Sequence, residues 1–158
     1  MIIRKDLLER SRDDLPTMLD YRTHVKNGSR SNTPPVFAIY VLGLVCQWIR
    51  DRMGGLEGMA RHNAAKAKML YDVLDRSAGF YQGHAAPACR SDMNVTFRLR
   101  DEALEKEFVK GATTLGLIDL KGHRSVGGIR ASIYNAMPVE GVATLRDYMI
   151  EFQKSHRG

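Results

Sequence analysis

The sequence predicts an α/β chain: a small domain with a mostly antiparallel sheet covered by helices, preceded by a long loop and a helical connector. Three observations carry this. Asp92 to Arg100 alternates polar and apolar residues, the period of a half-buried strand. Two long segments with helical spacing precede it, between Pro34 and Arg76. From Asp92 onward the order strand, helix, strand, strand, helix describes a sheet with helices laid on it. With 44% hydrophobic residues, the chain has enough apolar surface for a core.

In chain order, Met1 to Arg4 reads as the end of a strand, and Asp6-Leu7-Leu8 as a first helical turn. A lone edge strand needs a sheet to join, so the chain is expected to continue a larger fold. Ser11 to Arg30 is polar, contains Pro16 and Asn27-Gly28, and lacks a sustained period, which predicts an ordered loop. Thr33 and Pro34 then suit the N-cap and first position of a helix ending at Met53-Gly54-Gly55. Its Val36, Ile39, Tyr40, Leu42 and 45–49 run is apolar on most sides, which predicts burial, with Cys46 a small core residue. The apolar run is too short and too interrupted by Gln47 and Trp48 to span a membrane.

A second helix is predicted from Leu56 to Arg76, with Met59, Asn63, Ala67, Leu70 and Leu74 on its inner face and Lys66 among the other positions. In the following strand Met93, Val95, Phe97 and Leu99 share one face. Ala103 to Thr114 is an amphipathic helix through Leu104, Phe108 and Ala112. Leu117–Leu120 and Ile129–Tyr134 are expected to be short strands bracketing a glycine-rich loop. Pro138 to His156 closes the chain as a helix with Val142, Leu145, Tyr148, Met149 and Phe152 buried. The expected divisions are 1–33, 34–76 and 77–158.

The net charge of +6 is unevenly spread. Acidic residues are absent between Tyr21 and Arg50 and between Leu120 and Val139, while both stretches carry Lys, Arg and His. Such segments suit an anionic partner. Neither Cys46 nor Cys89 has histidines at metal spacing, which disfavours zinc, and Cys89 beside Arg90 lacks the surroundings of a nucleophile. His24 and His84 have no partner in reach by sequence, and His62 and His156 are expected at the surface. No P-loop, dinucleotide fingerprint or Ser/His/Asp order is present.

Two segments carry candidate chemistry. In Lys121 to Ser132, Gly127 and Gly128 allow close approach of a ligand. His123 and Arg124 can donate to a phosphate, and Arg130 offers a planar fork that matches a carboxylate. The same segment also reads as a solvated hairpin loop with one arginine capping a helix. Asn32-Thr33 forms an anion cradle at a helix start, or a simple N-cap.

The stretches Asn32-Thr33-Pro34-Pro35, Arg90-Ser91 with Met93-Asn94-Val95, and Gly122-His123-Arg124 through Gly127 to Pro138 resemble the phosphoserine aminotransferase family. Trp48, Gly54-Gly55, Asn63 and Lys66 to Tyr71 fall where that family has them, so the resemblance covers essentially the whole chain. It implies the C-terminal portion of a dimeric, fold-type I, class V enzyme that uses pyridoxal 5′-phosphate. Such enzymes interconvert 3-phosphohydroxypyruvate and glutamate with phosphoserine and 2-oxoglutarate in serine biosynthesis, and in many bacteria serve pyridoxine biosynthesis. By resemblance, Asn32 and Thr33 bind the cofactor phosphate of the neighbouring subunit. His123 and Arg124 help hold the substrate phosphate, again across the dimer interface, and Arg130 clamps the substrate α-carboxylate.

The resemblance also implies a preceding large domain that supplies the lysine joined covalently to the cofactor. None of this chain's lysines stands in that motif, so catalytic residues are expected to lie outside it and the isolated chain to be inactive. Thr96 departs from the family's usual proline, with little consequence expected. A cytoplasmic location follows from the absence of a secretion signal at the charged N-terminus. The competing reading is a stand-alone anion or nucleic-acid binding module. The shortage of aromatics near the basic loops counts against it.

Overall fold

A computed structural model describes residues 2–156 and divides the chain into two compact units, residues 1–47 and 48–158. The first unit holds α1 (Asp6–Glu9), a 3-10 turn (Thr17–Leu19), α2 (Tyr21–Lys26) and most of α3 (Val36–Arg52). Residues 2–4 are not strand, and Met1 lies outside the described residues, so the expected opening strand is not borne out. The expected loop from Ser11 to Arg30 contains α2, because Asp20 caps it: its carboxylate accepts from the Arg22 backbone N–H at 2.9 Å and pairs with the Arg22 side chain. His24, placed on α2, has a partner after all in the Met18 carbonyl, 3.0 Å away.

Two expectations for α3 fail. It begins at Val36 rather than Pro34, since a residue before proline is pushed out of the helical region and Pro34 is followed by Pro35. Thr33 is therefore not its N-cap. Nor is α3 buried: Phe37, Ile39, Tyr40 and Leu42 are each more than half exposed, and Cys46 is exposed too. Apolar periodicity reports what a helix can bury, and among the described residues nothing covers this one.

The second unit contains α4 (Gly55–Arg76), β1 (Gln82–Gly83), β2 (Asn94–Arg98), α5 (Glu102–Thr114), β3 (Ile129–Ser132) and α6 (Val139–His156). The three strands form one antiparallel sheet in the order β1-β2-β3. The expected strand at 117–120 reduces to a single bridge between Lys121 and Ile129. β2 follows its predicted alternation, with Val95 and Phe97 buried and Asn94, Thr96 and Arg98 on the opposite face; Met93, expected inward, is exposed.

Helices α4 and α6 pack on one another, α4 also packs on β2, and α5 packs on α6. Their stripes are those the spacing predicts: Met59, Asn63, Ala67, Leu70 and Leu74 from α4, Leu104, Phe108 and Ala112 from α5, and Val142, Leu145, Met149 and Phe152 from α6. Phe108 is the hub, with ring centroids 5.8 Å from Phe97, 5.1 Å from Phe152 and 4.9 Å from Tyr148. Tyr81 satisfies its buried hydroxyl by donating to the Met149 carbonyl at 2.7 Å. α5 starts where the Asp101 carboxylate accepts from the Leu104 N–H at 2.9 Å. His156, expected at the surface, instead stacks on Phe152 and contacts Glu107. Among the described residues no helix is long and apolar enough to cross a membrane.

Lys66 overturns its expected exposed position. It is fully buried and donates to the carbonyls of Ile133, Tyr134 and Met137 at 3.1, 2.7 and 3.1 Å. Burial alone would push its pKa down. The three carbonyl dipoles act the other way, holding the proton that makes the bonds.

Candidate functional site

β3 leaves the glycine-rich loop carrying Arg130 on the sheet face away from the core. Ile133 donates its N–H to the Met93 carbonyl, so the facing pair Thr96–Arg130 falls in a non-hydrogen-bonded register, where side chains approach most closely. The Arg130 guanidinium is half-buried and its Nε is a buried donor with no partner. No carboxylate among the described residues pairs with it. A buried unpaired donor costs about 1–3 kcal/mol that a partner could recover, and Arg90 Nε is in the same state although its guanidinium is paired with Asp75.

The same face carries Asn94, Ser132 and Tyr134. The Ser132 hydroxyl donates to Asn94 Oδ1 at 3.3 Å. Hydrogen bonding with Ser132, then with Asn94, and the nearby positive charge of Arg130 hold the Tyr134 phenol below the ordinary tyrosine range.

Between Lys121 and Gly128 the chain turns sharply. Gly122 donates to the Gly128 carbonyl at 2.8 Å, and Val126 and Gly127 both donate to the His123 carbonyl. Gly127 and Gly128 have φ of +76° and +73°, the left-handed region that side chains resist. A side chain on Gly122 would fall 2.0 Å from the Gly127 carbonyl oxygen. The tip is tied to β2 by Arg98, which donates to the Val126 carbonyl and, through Nε, to His84 at 3.3 Å. His84 therefore has a partner that the sequence did not reveal. Alternation alone would have put Arg98 on the polar face beside Thr96, and that was the available signal for it.

His123 and Arg124 both stand exposed on this loop. Ser125 donates its N–H to His123 Nδ1 at 3.3 Å, and its hydroxyl lies 2.7 Å from the same atom, which leaves Nε2 to face outward as a donor. A cleft of about 650 Å³ opens between α5 and the loop, lined by His123 and Arg124 together with Arg98, Lys106, Lys110 and Lys121, and by the carboxylates of Glu102 and Glu105. Arg130 does not line it. The structure thus gathers His123 and Arg124 in one cationic cleft and sets Arg130 on the sheet face.

Asn32 and Thr33 belong to the first unit. Both are exposed, and neither side chain makes a hydrogen bond among the described residues. With Thr33 released from capping duty, its hydroxyl and the Asn32 amide remain available to an oxyanion. Cys89 is exposed. The charge of Arg90 beside it is taken up by a bidentate pair with Asp75 at 2.8 and 2.6 Å and by the Tyr71 ring 4.5 Å away. No group of three or more potential metal ligands occurs among the described residues.

The cofactor implied by the resemblance can be tested against these donors. Asn32 and Thr33 are of the type that binds a phosphate ester. Of the lysines, Lys66 is occupied by three carbonyls, and the others are exposed.

The model of the family described as aminotransferase class-V matches residues 2–145. A phosphoserine aminotransferase of Lysinibacillus sphaericus is 52% identical over 157 residues, covering 99% of this chain and 43% of the relative. One from Niallia circulans is 54% identical, covering 98% of this chain and 42% of its own length. The solved phosphoserine aminotransferase from Bacillus circulans subsp. alkalophilus superposes with a TM-score of 0.89 at 53% identity, over 99% of this chain and 43% of that one. A phosphoserine aminotransferase from Trichomonas vaginalis, solved with pyridoxal phosphate bound, gives 0.83 at 42% identity over 94% of this chain and 42% of that one. The chain thus spans less than half the length of the curated relatives it matches, which fits their C-terminal portion.

Proposed function

The chain belongs to the class-V aminotransferase family, and we propose that it forms the substrate-gripping part of a phosphoserine aminotransferase. The reaction is the pyridoxal phosphate-dependent exchange of an amino group between glutamate and 3-phosphohydroxypyruvate, giving phosphoserine and 2-oxoglutarate. Its place is serine biosynthesis in the cytoplasm, with a phosphorylated hydroxythreonine of pyridoxine biosynthesis as a second substrate of like charge. On this reading residues 1–33 close the large cofactor domain, 34–76 connect, and 77–158 form the small domain.

The cofactor, when bound, supplies the electron sink for the amino-group exchange. This chain's residues do the rest of the holding. Arg130 takes the α-carboxylate that phosphoserine and glutamate share, through its two-pronged guanidinium. His123 Nε2 and Arg124 take the phosphate, and Asn32 and Thr33 the cofactor phosphate, the last four reaching across a homodimer. The exposed apolar side chains of α3 are the kind of surface such an assembly covers.

The observation that carries the proposal is the buried, unpartnered Nε of Arg130 on a face with no internal carboxylate to satisfy it. In the longer protein, Arg130→Ala should lower kcat/KM for phosphoserine roughly 30–200-fold, the range for losing a charged hydrogen-bonded contact worth about 2–3 kcal/mol. Unchanged turnover would sink the assignment. The 158-residue chain by itself, given pyridoxal phosphate, should show no transamination.

A further inference from the structure

Asn63 and Lys66 lie one helical turn apart on the buried face of α4, and both point at the turn that follows β3. Lys66 Nζ binds the Ile133, Tyr134 and Met137 carbonyls, while Asn63 Nδ2 donates to Asn135 Oδ1 at 2.8 Å. A buried ammonium costs several kcal/mol to desolvate, and this one has no carboxylate to offset it. An apolar side chain would fill the same space without that cost. What an apolar side chain could not do is hold three peptide carbonyls in fixed orientation at once.

We propose that Lys66, assisted by Asn63, is a positioning residue for Arg130: it clamps the 133–137 turn so that the outgoing end of β3 cannot fray. The route is short. Ile133 is the residue whose N–H closes the ladder onto Met93, and it immediately follows Ser132, which faces Asn94. Tyr134, whose carbonyl takes the shortest of the three Lys66 bonds, engages Ser132 and Asn94 with its own side chain. Val95–Ala131 is the next pair along the ladder, and Thr96–Arg130 follows it as the next pair on the Asn94–Ser132 face. With the clamp in place these pairs stay in register and the guanidinium is held half-buried. Without it the strand end opens and Arg130 swings into solvent. An arginine that must meet a small anion through two parallel bonds gains from such restraint, because a mobile fork loses entropy on every encounter.

The inference rests on the reading of Arg130 as an anion-binding residue, but its test does not need a substrate. Arylglyoxal modification of the 158-residue chain, mapped by peptide mass spectrometry, reports how freely each arginine reaches solvent. Arg90 is the internal reference, being in the same unit, 18% exposed in its side chain and paired with Asp75. In Lys66→Met the Arg130 rate should rise roughly 5–30-fold, the factor set by loss of one or two kcal/mol of local stability, while the Arg90 rate stays put. Lys66→Arg, which keeps a donor-rich cation, should recover part of the protection. Asn135→Ala removes one end of the clamp without touching α4, and should raise the Arg130 rate by a smaller factor. It decides the matter if Lys66→Met does not fold. An Arg130 rate unchanged in folded variants, or Arg130 and Arg90 rates rising in parallel, overturns the proposal. If the clamp test succeeds while Arg130→Ala leaves turnover intact, the functional reading fails and the clamp stands.

Discussion

Gly122 and Gly127 offer a sharp test of what shapes the loop, because each is glycine for a different reason. Gly127 has φ of +76°, but a Cβ there would meet the end of the flexible Arg98 side chain at 3.2 Å. Alanine at 127 should therefore cost about 1–2 kcal/mol, the left-handed penalty. Gly122 needs no left-handed backbone, yet its Cβ would lie 2.0 Å from the Gly127 carbonyl oxygen, 2.7 Å from the Gly127 carbonyl carbon and 2.7 Å from the Gly128 carbonyl oxygen. Those are backbone atoms, so the turn itself must open by about 1 Å to restore ordinary contact. Opening breaks the Gly122–Gly128 hydrogen bond and loosens the neighbouring Arg130–Leu120 bond, both 2.8 Å. Two backbone bonds at about 1 kcal/mol each, plus overpacking of about 1–3 kcal/mol, give about 3–5 kcal/mol for Gly122→Ala. With a urea slope of about 1.5 kcal/mol per M, the midpoint should fall by about 2–3 M, against about 1 M for Gly127→Ala. Urea unfolding of the two variants, followed by circular dichroism, reads the ranking directly. A Gly122→Ala chain as stable as Gly127→Ala would refute the argument that space, rather than φ, fixes this position.

Phe108→Ala empties the centre of the aromatic cluster and should cost about 3–5 kcal/mol by the same unfolding assay, a large share of the ~5–15 kcal/mol typical of a domain. His156 titrates usefully: its ring donates toward the Phe152 carbonyl at 2.8 Å and the Glu107 carboxylate at 3.1 Å, and these contacts raise its pKa in that order. A folded-state pKa above the unfolded 6.5 makes its contribution complete below pH 6.5 and lost as pH rises through the folded value. The stability gap between the wild type and His156→Gln should thus shrink from about 0.5–1 kcal/mol toward zero as pH rises through the folded-state value. A gap independent of pH would exclude the ion pair as its source. Thr96→Glu places a carboxylate in the register facing Arg130 and should leave stability equal or raise it by about 0.2–1 kcal/mol. In the longer protein the same change should raise KM for phosphoserine at least about ten-fold. Unaltered KM with a folded variant would mean that the guanidinium is not the ligand's partner.

Much of the second unit was legible because its helices bury their stripes against one another. The spacing of Met59, Asn63, Ala67, Leu70 and Leu74 is what packing on β2 and α6 requires. Lys66 was misread because its charge outweighed its place in the series 59, 63, 66, 70, 73, where it sits squarely among the buried positions of α4. The start of α3 was misplaced for a local reason, since the second of two prolines restricts the first. The burial of α3 was misjudged for a non-local one: a sequence states that a helix has apolar sides and says nothing of what lies against them. The strand expected at 117–120 has three apolar residues, but only its end pairs, through the Leu120 carbonyl with the Arg130 N–H and the adjoining Lys121–Ile129 bridge. At the candidate site, Arg130, His123 and Arg124 were readable as donors. The partners of Arg98 and Lys66 were not readable, because they are chiefly the protein's own carbonyls, which leave no mark in a sequence.

The charge pattern explains why the candidate site has free cations at all. Several arginines elsewhere are neutralised by carboxylates, though not all: Arg22 holds Asp20 and Asp13, Arg90 holds Asp75, and Arg146 holds Asp147. From Lys121 to Pro138 no acid exists in the sequence to do this. The fold could still have supplied one across the sheet, yet the residues it brings beside Arg130 are Thr96, Asn94 and Ser132, all uncharged. An internal carboxylate would be present at effectively unlimited concentration and would compete with any ligand. Leaving Arg130 unpaired sacrifices about 1–3 kcal/mol of folding stability at its Nε, and the clamp at Lys66 spends more by burying an ammonium. A buried and a half-buried cation without carboxylates within one small unit are hard to account for by folding alone. They become intelligible together if one is held open for an external anion and the other keeps it in place.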